Sequence, residues 1–217
     1  MTQATARRRR VLSLAVVLAV VALAGVAGCA PNRLLHQQAN PEYVGKPFKR
    51  VLVVAVTKEN VLGRVYEDRM VALLGQRGIK GVPAYASLGT AGAVDEATLR
   101  GVIAKTGVDG MLITRTTSVD ESTVTTPGYT VAVGYGWGGL YGYYSGVWQT
   151  TYVPARTTAV GPTRTVSETR LFDTKSGTLA WSGMIGTTDR DGESDTTSSV
   201  QQYAGIVFDA MARDGII

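Results

Sequence analysis

The chain has 217 residues, enough to bury one core of its own. Its formal charge of +5 comes from 22 basic and 17 acidic residues, and four of the basic ones are the consecutive Arg7, Arg8, Arg9 and Arg10. The surplus is therefore concentrated at the amino terminus and leaves no nucleic-acid footprint on the rest. One cysteine excludes internal disulfides, the single histidine, His36, is expected in a tether and so outside any Ser-His or Cys-His relay of the domain, and the two together make an ordinary zinc site unexpected.

Behind the arginines runs an apolar stretch of 17 residues, Val11 to Ala27, interrupted by Ser13 alone, which is the order of an export signal. A retained anchor helix is the competing reading, because about 17 residues is the lower limit for crossing a bilayer. The stretch ends in Val26-Ala27-Gly28-Cys29, which resembles the lipobox of bacterial lipoproteins. That resemblance implies cleavage between Gly28 and Cys29 and a diacylglycerol thioether on Cys29. Ala30, where some lipoproteins carry Asp, resembles the outer-membrane sorting pattern of enteric bacteria, and so implies anchoring on the periplasmic face of the outer membrane, or less favourably the inner one. Losing the four arginines with residues 1–28 leaves 18 basic residues against 17 acids, a formal charge of +1.

Residues 29–48 are polar, hold Pro31, Asn40-Pro41 and Pro47, and show no apolar period, so they predict a lipidated tether. Residues 50–56 are continuously apolar after Arg50, the pattern of a central strand buried on both faces. Tyr66, Met70, Leu73 and Leu74 share one face of a helix over 63–77, which Gly78 stops. A second strand follows over 79–84. Asp95 is placed to cap the next helix, with Val94 and Leu99 as a hydrophobic staple and Val102 and Ile103 continuing the apolar face towards Gly107. Residues 110–117 predict a third strand, and strands alternating with helices predict right-handed crossovers and a parallel sheet. Residues 163–173 and 178–187 predict a hairpin around Thr174-Lys175-Ser176-Gly177. A last helix over about 198–213 carries Val200, Tyr203, Ala204, Val207 and Met211 on one stripe. The fold class is α/β: one domain over 49–217, a βαβαβ half, a Gly/Tyr-rich insertion at about 121–162, a hairpin and a closing helix, with helices packed on a mixed sheet.

This order of elements resembles the amino-terminal domain of TolB, the curli secretion lipoprotein, and lipoproteins that activate penicillin-binding proteins. The segments 107–113 and 171–183 are similar to those of uncharacterised proteobacterial envelope lipoproteins. The resemblance spans most of 50–217 and implies an envelope α/β domain; it transfers no site, since one fold hosts many activities.

The insertion is the most unusual stretch. Tyr129, Tyr135, Trp137, Tyr141, Tyr143, Tyr144, Trp148 and Tyr152 are spread among glycines with almost no charge. Alternation over 130–137 and again over 148–152 predicts two extended arms with a glycine-rich tip, and deletion of 134–146 is expected to leave the domain folded. The aromatics are read as a candidate binding surface, because Tyr and Trp dominate contact energies. A Gly-rich loop folded over the domain or disorder, and a strand pair of an oligomeric barrel, are the alternatives. Gly134, Gly136 and Gly139 satisfy G-x-G-x-x-G, but Leu-Tyr-Gly-Tyr-Tyr is no helix start, so the match reads as chance.

Asp189, Asp191, Glu193 and Asp195 suggest calcium, yet the glycine spacing is not that of an EF-hand, and acids ahead of a helix are explained by its dipole. Asp120 and Glu121 end a strand where open α/β sheets place ligands, but adjacent strand residues point to opposite faces and cannot work as an acid-base pair. No metal, cofactor or catalytic residue is expected. The sequence predicts a non-enzymatic envelope lipoprotein that binds another protein or itself, with a glycan or small-ligand module as the alternative.

Overall fold

The computed structural model describes residues 32–57, 60–89, 94–121, 139–149, 163–189 and 197–217. Six strands form one sheet: β1 (Asn32–Ala39), β2 (Arg50–Val56), β3 (Lys80–Pro83), β4 (Gly110–Glu121), β5 (Thr163–Asp173) and β6 (Leu179–Asp189), in the order β1-β6-β5-β4-β2-β3. β2 runs parallel to β3 on one side and to β4 on the other, while β5, β6 and β1 add on antiparallel. The sheet is therefore mixed, as the element pattern predicted.

Successive strand residues face opposite sides, so an apolar run stays buried only where both faces are covered. In β2, Val51 and Val53 face a layer made by α1 (Asn60–Gln76) and α5 (Thr197–Arg213), packing with Tyr66, Met70, Leu74, Ala204, Val207 and Met211. Leu52 and Val54 face the other layer, made by α2 (Ala84–Ser87), α3 (Glu96–Thr106) and α4 (Leu140–Gln149), through Ala84, Leu99, Leu140 and Tyr144. Two cores thus sandwich the sheet, and each fully buried aliphatic side chain contributes on the order of 1.5–3 kcal/mol.

Local chemistry sets the element ends. Asp95 caps α3 by accepting from the Thr98 amide at 2.7 Å, and Gly107 closes it at φ +63°, a left-handed conformation that suits glycine. In the β5–β6 turn, Asp173 Oδ1 accepts from the amides of Lys175 and Ser176 at 2.9 and 2.7 Å, and Gly177 takes φ +71°.

Two expectations need correction. Within 29–48, residues 32–39 are not tether but the edge strand β1, paired with β6 from Asn32↔Thr187 to Ala39↔Trp181. Its register shifts between Leu34 and His36, so Leu35 is an extra residue and the alternation that would have revealed a strand is broken. His36 accordingly sits exposed on a strand. The second correction is α4. The insertion contains a helix beginning at Leu140, the position read as no helix start, because Leu140 and Tyr144 lie one turn apart and are both buried. Its first amide, that of Leu140, donates to the Gly177 carbonyl at 2.9 Å, so this helix end is closed by the hairpin turn. Gly134 and Gly136 lie outside the described residues.

Candidate functional site

Of the aromatic candidates, Tyr129, Tyr135, Trp137 and Tyr152 lie outside the described residues, and Trp148 is described only as part of the α4 backbone. The other three turn towards the domain and not away from it, which corrects their reading as a contact surface. Tyr144 is 2% exposed in the core. Tyr141 is half-buried against the same core, with the Arg100 guanidinium 3.8 Å from its ring centroid. Tyr143 tilts against Phe172 at 5.2 Å, holds Arg170 at 4.5 Å and Arg115 at 5.3 Å from its ring centroid, and donates its hydroxyl to Glu168 Oε2 at 3.0 Å.

Glu168 is the centre of that cluster, which sequence reasoning missed. It is buried on β5 and accepts from Arg170 Nε at 2.7 Å and from Arg115 Nε at 3.3 Å. Burial, then the carboxylate charge, push the Tyr143 phenol far above its ordinary pKa, so it remains a neutral donor. The cluster fastens α4 to the sheet. A charged pair at i and i+2 on β5 with an arginine on β4 was the available signal, since residues two apart line the same face of a strand.

A second polar arrangement lies on the opposite face. From β2 the chain leaves towards β3, while from β4 it leaves towards β5, so the crevice between the carboxyl ends of β2 and β4 is a topological switch point. A cleft of ≈ 160 Å³ opens there, walled by Val56, Thr57 and Gly63 on one side, Thr116, Thr165 and Ser167 on another, and Asn32, Thr187 and Ser199 at its end. Asn32 is held in place from two directions. Its Oδ1 accepts from Thr187 Oγ1 at 2.7 Å, and its Nδ2 donates to the Ser199 carbonyl and to Gln202 Oε1, both at 3.0 Å.

A row of hydroxyls joins three lining residues, Tyr66, Thr114 and Tyr203, to the fully buried Thr169 beneath the cleft. Thr114 Oγ1 donates to the Tyr66 hydroxyl at 2.7 Å and lies 2.8 Å from Thr169 Oγ1, which is 3.1 Å from the Tyr203 hydroxyl. The four groups come from α1, β4, β5 and α5. Burial raises the pKa of both tyrosines far above the usual phenol value, so neither supplies a phenolate near neutral pH. Among the described residues lining the cleft there is no acid and no histidine, and their single charged side chain, Arg115, is the one paired with Glu168. Such a site can bind through hydrogen bonds, and none of its described side chains is poised to move a proton at neutral pH.

The remaining candidates are not brought together. Asp120 and Glu121 are the last residues of β4, opposite Arg164 and Thr163, and their side chains lie outside what is described. Of the acidic run suggested for calcium, only Asp189 falls in a described element, and among the described residues no three His, Cys, Asp or Glu side chains cluster as metal ligands would. Gly28 and Cys29 also lie outside the described residues. Among those described, no helix is long and apolar enough to cross a membrane.

No protein-family model and no curated protein matches the chain. Among solved structures it is similar to a PelC dodecamer from Paraburkholderia phytofirmans, with 14% identity and a TM-score of 0.44 over 83% of this chain and 96% of that one. A single-substitution variant of the same dodecamer gives 12% identity and a TM-score of 0.41 over the same shares. A PDZ domain protein from Parabacteroides distasonis gives 12% and 0.38, over 84% of this chain and 35% of that one. At these levels the similarity assigns no family.

Proposed function

We propose that this chain is an exported lipoprotein, held by acyl chains on Cys29 to the periplasmic face of the outer membrane, which works without catalysis by binding another envelope protein or a second copy of itself. The observation that carries the reading is the position of the only cysteine, at the end of an arginine-led apolar segment and directly after Val26-Ala27-Gly28. The hydroxyl lining of the cleft supports a binding role, because acid-base chemistry needs a group that titrates near the working pH, and none of the described lining residues is such a group. Tyr141, Tyr143 and Tyr144 are engaged within the domain, so a protein-binding surface in the insertion rests on Tyr129, Tyr135, Trp137, Trp148 and Tyr152.

Metabolic labelling with tagged palmitate tests the anchor. Wild-type protein is expected to carry label and to fractionate with membranes, and Cys29→Ser to lose both properties; an unlabelled wild type refutes the anchor. The partner is tested by a photo-crosslinking residue at Tyr135 in intact cells. A discrete adduct resolved by mass spectrometry is expected, and no adduct from Tyr135 or Trp137 counts against a contact surface there.

A further inference from the structure

We infer that the cleft between the carboxyl ends of β2 and β4 binds a neutral polyhydroxylated ring of the size of one sugar residue. This goes beyond the anchoring reading and does not depend on it. The volume of ≈ 160 Å³ admits a six-membered ring, since an enclosed cavity of about 150 Å³ takes up benzene, and the open mouth of this cleft leaves room for the ring's substituents. The chemistry fits the lining. A hydroxyl both donates and accepts, so Thr57, Thr116, Thr165 and Ser167 can pair with ligand hydroxyls of either polarity without a change of charge. A row of linked hydroxyls can also reverse its direction, so the line from Tyr66 through Thr114 and Thr169 to Tyr203 can present either a donor or an acceptor. An anion of the same size would need a compensating charge once withdrawn from water. Arg115, the charged residue among those described in the lining, already serves Glu168. The cleft also occupies the crevice where the topology of an open α/β sheet places ligands.

The test uses the full-length protein, purified in a non-glycosidic detergent and labelled at threonine methyl groups. It is titrated separately with methyl β-glucopyranoside, myo-inositol and inorganic phosphate while methyl resonances are followed by NMR. Saturable shifts at Thr57, Thr114 and Thr165 with either neutral polyol, and none with phosphate, are expected. Tyr66→Phe, which deletes one hydroxyl from the row, should weaken polyol binding about three- to tenfold. Thr165→Val, at the rim, gives the same reading should Tyr66→Phe fail to fold. Flat titrations with both polyols, shifts centred away from the cleft, full affinity in the folded variants, or saturation by phosphate would each overturn the proposal.

Discussion

Glu67 shows how much one buried carboxylate can organise. It is 5% exposed on α1 and accepts from the amides of Ala55 and Tyr85 at 2.9 and 3.0 Å, tying the end of β2 to the start of α2. Burial raises its pKa, and the backbone amides oppose that shift without cancelling it. An acid whose folded pKa is raised loses its proton more readily when unfolded. Its contribution to stability therefore falls as pH rises from the ordinary glutamate value, about 4.3, through the raised folded value, and is level above it. Comparing unfolding free energies of wild type and Glu67→Gln across that window should show the wild type losing ground as pH rises; a constant difference would refute the assignment. Glu168 makes a separate case, because two guanidinium groups and one phenol depend on it. Glu168→Gln is expected to cost about 3–5 kcal/mol in urea unfolding, the usual cost of removing one member of a buried ion pair.

At the scale of elements, α4 and β1 carry more of the fold than their composition suggests. Leu140 and Tyr144 complete the core on their face of the sheet, so deleting 134–146 should unfold or strongly destabilise the domain, contrary to the expectation from sequence. Leu140→Ala alone should cost about 2–5 kcal/mol, measured by denaturant unfolding. β1 closes the other edge, with Gln37 Nε2 donating to Asp214 Oδ1 at 2.7 Å and Trp181 Nε1 donating to the second oxygen of the same carboxylate at 2.7 Å. The elements visible from sequence alone share a property, an uninterrupted local signal: a continuous apolar run in β2 and a regular period in α1, the β5–β6 hairpin and α5. The register shift removes that signal from β1, and glycine and tyrosine, weak helix formers, remove it from α4.

For the whole molecule, the short distance in sequence from Cys29 to Asn32 has a geometric consequence. Three residues of chain span at most about 11 Å, so a lipid on Cys29 would hold the start of β1 close to the headgroups. Labels on the exposed Arg33 and Gln38, five residues apart on β1, test this in vesicles. A headgroup-bound paramagnet should affect Arg33 more strongly, since extended chain adds about 3.3 Å per residue between them; equal effects would argue against anchoring at Cys29. The sequence by itself determined the export-signal pattern, the α/β class, the parallel half and the two main amphipathic helices, because each depends on residues close along the chain. Only the tertiary structure decided that a polar stretch would become an edge strand, that three tyrosines of the insertion would face inward, and that Tyr66, Thr114, Thr169 and Tyr203 would meet beneath one cleft. The reason is physical: hydrogen bonds and buried area gained between distant segments are set by the packing of layers, which no local period encodes.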